Sequence, residues 1–170
     1  GDNECNGHTA GVDLKLYGEF VPSSDSWISL SLMDTKINLN GKSISLPTDQ
    51  RYSVNMYFTD FFPGTQRWKM SLKLAYTDGL PFSAPHRELE DKSFRASAYK
   101  RIDIGMSYRL LDNNNRSILK NIWFGVDCLN LFGINNVNSY YWITDVTSNQ
   151  YAVPNYLTGR QINARLLFEF

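Results

Sequence analysis

The sequence predicts an all-β fold: an antiparallel, up-and-down sheet of about seven strands, of the kind that forms the wall of a transmembrane β-barrel. Three observations carry this. Apolar residues recur at every second position over seven segments, and no helical period of comparable length competes with them. Within those segments the charged side chains lie on the polar row. The connections between segments alternate between short and long.

The segments follow one another from the amino end. Ala10, Val12, Leu14, Leu16 and Phe20 alternate with Asp13, Lys15, Tyr17 and Glu19. Ile28, Leu30 and Leu32 alternate with Ser29 and Ser31, and Tyr52, Val54, Met56 and Phe58 with Ser53, Asn55 and Tyr57. Trp68, Met70, Leu72, Leu74 and Tyr76 enclose Lys69, Ser71 and Lys73. Ile102, Ile104, Met106, Tyr108 and Leu110 enclose Asp103, Ser107 and Arg109, with Arg101 ahead of them. Ile122, Phe124, Val126 and Cys128 alternate with Trp123, Gly125 and Asp127. Ile162, Ala164, Leu166, Phe168 and Phe170 complete the series, with Asn163, Arg165 and Glu169 between them. The expected strands lie near residues 10–20, 27–36, 51–61, 67–77, 99–110, 118–130 and 160–170.

These segments reach ten or eleven residues, whereas strands of soluble sandwiches run to about 5–6. Ten residues is the length a tilted strand needs to cross a bilayer. A charge on a lipid-facing row costs roughly 2–4 kcal/mol at the midplane, which would enforce the segregation. "VPSSDS", "FPGTQ" and "LDNNNRS" have turn composition, while residues 33–50, 78–98 and 132–159 form long links. Aromatic residues near the segment ends (Trp27, Phe61, Phe62, Trp68, Tyr76, Tyr99 and Tyr108) suit the headgroup level of a membrane or a packed soluble core.

Composition excludes several classes. Lys plus Arg equals Asp plus Glu at 17 each, so no excess charge steers the chain toward nucleic acid. No apolar run approaches the ~20 residues of a membrane-spanning helix, and no basic-then-apolar leader is present. Cys5 and Cys128 make no disulfide framework; Cys128 reads as a small hydrophobe on an apolar row.

Parity adds an expectation. Single-chain bacterial barrels have even strand numbers, and an open sheet in lipid leaves backbone groups unpaired at each edge. Seven strands ending after a long link therefore suggest the carboxy-terminal piece of a larger barrel.

"QINARLLFEF" at the end of the chain resembles the closing strand of an outer-membrane barrel, with Ile162, Leu166, Phe168 and Phe170 as the signal read by the barrel-assembly machinery. "GLPFSAP", "YKRIDIGMSY", "CLNLFGINNVNSYYW" and "LTGRQINARLLFEF" are, in order, similar to the carboxy-terminal barrel segment of TonB-dependent outer-membrane receptors, in the branch with an amino-terminal carboxypeptidase-regulatory-like domain. The resemblance implies a 22-stranded parent in the outer membrane of a Gram-negative bacterium that imports a scarce nutrient. Its partners would be membrane lipid, its own plug domain, TonB and, in some members of such a family, a surface substrate-binding lipoprotein. Plug and TonB box are not in this sequence. Lys69, Lys73, Arg101, Asp103, Arg109 and Arg165 would face the plug or the aqueous lumen.

Enzyme chemistry is weakly signalled. His8 and His86 are far apart, so no metal motif arises. Ser83, His86, Glu88 and Asp91 are near in sequence, yet nothing supplies a rigid element or an oxyanion hole. The expectation is a non-enzyme without cofactor or metal. Ligand contacts would fall in the long links, on His86, Arg87, Tyr140, Tyr141, Trp142, Tyr151 and Tyr156; the aromatic members could equally pack a small hairpin, "YYWITDV…QYAVPNY". The alternatives are a small outer-membrane barrel with a structural, adhesive or hydrolytic role, and a soluble lipocalin-like binder with its apolar residues inside.

Overall fold

Period-two alternation allows one face to be apolar and the other polar along a strand. In the computed structural model, which describes residues 6–21, 24–39, 41–85, 94–112 and 118–170, that alternation builds twelve β-strands and, among those residues, no helix. They are β1 (Asn6–Val21), β2 (Ser24–Leu39), β3 (Lys42–Ser45), β4 (Tyr52–Phe61), β5 (Trp68–Thr77) and β6 (Pro81–Phe82). Then come β7 (Phe94–Arg95), β8 (Tyr99–Asp112), β9 (Asn121–Leu129), β10 (Val137–Thr144), β11 (Gln150–Tyr156) and β12 (Gln161–Glu169).

Seven long strands form one sheet in chain order, β1-β2-β4-β5-β8-β9-β12, every neighbouring pair antiparallel. β3 pairs with the outer part of β2, while β6–β7 and β10–β11 are two separate two-stranded sheets within the long links. The main sheet does not close: β1 and β12 are each paired on one side only. Because every strand reverses direction, the short turns gather at one end of the sheet and the long links at the other.

β1, β2 and β8 differ most from the expected outline. β1 and β2 run to 16 residues each, because their pairing continues past the apolar stretch through His8↔Lys36 and Asn6↔Asn38. Hydrogen bonding, unlike burial, does not need an apolar row. In β8 the register shifts between Arg109 and Leu111, so Leu111 rather than Leu110 stands opposite Ile122. A bulge of this kind adds one residue and changes the row a side chain occupies.

No large apolar side chain is buried among the described residues; those that are buried are polar, such as Ser26, Thr35, Asp49 and Asn130. The apolar rows are exposed instead, with Leu16 at 70% and Ile162 at 72%.

Candidate functional site: two faces and a fastened loop end

Register joins the rows of single strands into continuous faces. On the apolar face, Leu16 stands beside Ile28, then Met56, Leu74 and Ile102. Two strands further along the sheet, Phe58, Leu72, Ile104, Cys128 and Ile162 form another row. Among the described residues, charged ones occupy this face only beyond the apolar stretch. His8, Asp34 and Lys36 lie toward the link end, where Lys36 Nζ is 3.0 Å and His8 Nε2 3.7 Å from the Asp34 carboxylate. Lys100 precedes Ile102, and Asp60, opposite Met70, lies toward the turn end.

These charges mark the border of an apolar belt, and the border is inclined to the strands. On β2 the belt ends at Leu32, whose row includes Tyr52; on β12 it ends at Ile162, whose row includes Phe58. Between those rows the register slips from Tyr52 to Phe58 on β4, about 20 Å at ~3.3 Å per residue. The five strand-to-strand steps from β2 to β12 span about 24 Å at ~4.8 Å each. The belt thus lies about 40° from the perpendicular to the strands.

The polar face carries two troughs. A trough of about 530 Å³ opens over Lys69, Ser71, Lys73, Asp103, Asp127 and Arg165, and a second of about 490 Å³ over Trp27, Asn55, Tyr57, Tyr99 and Arg101. All six charged residues expected to face a lumen stand on this side. Lys69 Nζ lies 5.3 Å from the Phe61 ring and Lys73 Nζ 5.6 Å from the Tyr57 ring, close enough for cation–π attraction. Arg109 lies over Trp123 and pairs with Asp112 at 2.9 Å. Arg101 Nε donates to Asp103 at 2.7 Å. Arg165 reaches Asp127 at 3.4 Å and donates to Ser107 at 3.2 Å.

Two glycines make the floor. A Cβ on Gly105 would overlap the Asp127 carboxylate, and one on Gly125 would sit 2.7 Å from Arg165 Nε. Their bare backbone lets both long side chains lie flat across the sheet. Trp27 and Phe61, expected near a headgroup level, point instead to the polar face, against Tyr57 and Trp123. Their odd positions set them on the polar row. Trp68 and Tyr108 do stay on the apolar face, ring centroids 4.6 Å apart.

At the link end the structure reveals a knot that periodicity does not signal. Arg95 Nη2 donates to Asp49 Oδ2 at 2.6 Å, and Nη1 reaches the Asp49 carbonyl at 2.7 Å, Asp78 Oδ2 at 3.0 Å and the Gly79 carbonyl at 2.9 Å. Arg51 Nε donates to Asp78 Oδ2 at 2.7 Å. Asp49 also accepts the Thr35 N–H at 3.0 Å. Burial of Asp49, 1% exposed, pushes its carboxyl upward. The hydrogen bonds from Arg95, Thr35 N–H and Ser45 outweigh that and hold it below the ordinary carboxylate value. Asp78 is held down in the same way, burial being overcome by Arg51 and Arg95. Gly79 permits the close approach, since a Cβ there would overlap the Ala96 carbonyl.

The third link folds back as the β10–β11 hairpin. Tyr140 and Trp142 face Phe82 and Phe94 of the second link, with edge-on ring contacts at 5.0–5.9 Å. Tyr141 and Tyr151 lie on the other hairpin face and are exposed, as is Tyr156. Asp145 closes the turn: its carboxylate accepts the Thr147 hydroxyl and the N–H groups of Thr147 and Asn149. His86 and Arg87, together with Glu88 and Asp91, lie outside the described residues. Among the described residues no cluster of His, Cys, Asp or Glu has metal-site geometry. Ile162, Leu166 and Phe168 project from β12 with Phe170 following, all exposed.

Comparisons with protein families, with curated proteins and with solved structures returned no match to this chain.

Proposed function

We propose that this chain is part of the wall of an outer-membrane transporter of the TonB-dependent kind, its apolar belt against lipid and its polar face toward a lumen that holds a plug. The inclined belt carries the reading. Strands of closed barrels tilt by ~35–45° from the barrel axis, so a lipid zone level with the membrane must cross them obliquely, as the border from Leu32 to Ile162 does. A soluble sandwich would need no oblique border and would bury its apolar rows. Here those rows lie on the face opposite the troughs.

The unpaired edges of β1 and β12 fit the same reading. In hydrocarbon each lone backbone donor or acceptor is costly, so further strands would pair with both edges and complete the barrel. The long links stand at the outer end and the short turns at the inner one. Substrate would enter past the fastened links, and TonB would act on the plug. The resemblance noted above supplies the importer; the belt supports the membrane.

Environment-sensitive labels test the placement. In a Cys5→Ser, Cys128→Ser background, single cysteines at Met106, Ser107 and Lys36 would carry a nitrobenzoxadiazole probe, with the protein reconstituted in phosphatidylcholine vesicles. Only the label at 106 should shift to the blue and be quenched by brominated acyl chains. Equal quenching at 106 and 107 would refute the two-faced arrangement. Transport is tested separately, by whether the full reading frame restores uptake of a TonB-dependent nutrient to a receptor-deficient strain.

A further inference from the structure

The polar face and the third long link meet at one carboxylate. Asp103 Oδ1 accepts Arg101 Nε at 2.7 Å and the backbone N–H of Asn130 at 2.8 Å. Asn130 is the first residue after β9. It is 3% exposed and holds a left-handed backbone, φ 51°, a conformation that asparagine adopts more readily than other non-glycine residues because its side chain bonds locally. Its side chain accepts the Ile134 N–H at 3.0 Å and donates to the Ile134 carbonyl at 3.0 Å. Asn136 continues the chain. It takes the Lys100 N–H and donates to the Lys100 carbonyl, both at 2.8 Å, while its own carbonyl accepts Leu157 N–H at the base of the hairpin.

The geometry points to Asp103 as a strap that transmits the state of Arg101 on the polar face to the third link and its β10–β11 hairpin. Arg101 bears on Asn130 through Asp103. It sits two residues from Asp103 on the same row, and its guanidinium fixes the carboxylate under the Asn130 amide. A group on the polar face that drew Arg101 away would release that carboxylate, and Asn130 would lose one of the turn's outside supports, leaving Leu131 N–H on the Ile102 carbonyl and Asn136 on Lys100. Whatever face the lipid covers, the proposal concerns only these hydrogen bonds, so it stands or falls apart from the transport reading.

Amide hydrogen exchange on the full chain in detergent micelles tests it. R101M should raise exchange about tenfold at Asn130, Ile134, Asn136 and Leu157, with D103A raising it further. D127N, which breaks the Arg165–Asp127 ion pair of the same face, should leave those amides unchanged. Amides of β4 and β5 report whether the sheet stays folded. If R101M unfolds it, R101K, which keeps the charge but not the planar fork, serves in its place. Unchanged link protection in the arginine variant or in D103A overturns the proposal, as does an equal effect of D127N.

Discussion

Arg95→Met would strand a carboxylate that water cannot reach. Arg95 closes four hydrogen bonds on the first and second long links, and its side chain is 21% exposed while Asp49 is 1% exposed. Breaking a buried pair by removing one partner typically costs about 3–5 kcal/mol, because the remaining charge keeps its desolvation penalty. Asp49 retains the Thr35 N–H and Ser45, and Asp78 retains Arg51, so the loss should fall near the lower figure, about 3 kcal/mol. At ~1.4 kcal/mol per factor of ten, local opening becomes roughly 150-fold more frequent. Amide exchange at Leu46, Asp49 and Ala96, whose N–H groups are bonded within these links, would report it, with the β8–β9 ladder as internal reference. Asp49→Asn in the same chain removes the stranded charge and should restore more than half of the protection. Unaltered exchange in R95M, or a double variant as open as the single one, would show that the knot does not fasten the links.

Acid should open the same region. Asp49 and Asp78 both have folded-state values below the ordinary 3.8. Their contribution is therefore complete above that value and is lost as pH falls through the lower folded ones. Link protection, corrected for intrinsic exchange rates, should be level from pH 7 to about 5 and drop only as pH falls below the ordinary carboxylate value; R95M should shift that drop upward. Gly79→Ala forces a methyl into the Ala96 carbonyl. Such overpacking typically costs about 1–3 kcal/mol, so β6–β7 should lose protection while β4–β5 keeps its own. Asn136→Ala removes both hydrogen bonds to the Lys100 backbone, each worth about 0.5–1.5 kcal/mol at this part-buried position. Exchange at Lys100 and Leu157 should rise together, and a rise at neither would exclude the clamp.

Much of the main sheet was legible because its signals are local. An alternating row such as Leu72, Leu74 and Tyr76 announces a strand within a few residues, and Pro63 and Gly64 announce the turn before it. The β10–β11 hairpin was foreshadowed by its paired aromatics, though not which ring would face inward. The bulge at Arg109 was not legible, since Leu110 and Leu111 are both apolar and either could continue the row. Nor was the knot. Arg95 and Asp49 are 46 positions apart, lie outside any periodic segment, and resemble solvated loop charges until the links are folded over each other.

The sequence by itself determined that each long segment would be extended and two-faced, because side-chain alternation and turn composition act over neighbouring residues. Only the tertiary structure decided which rows stand beside which, and thereby the oblique border of the belt, the flat-lying Arg165 over Gly125 and the convergence of Asp103 with Asn130. Those features depend on register between strands, which is set by backbone pairing over long separations and leaves no periodic trace in the chain.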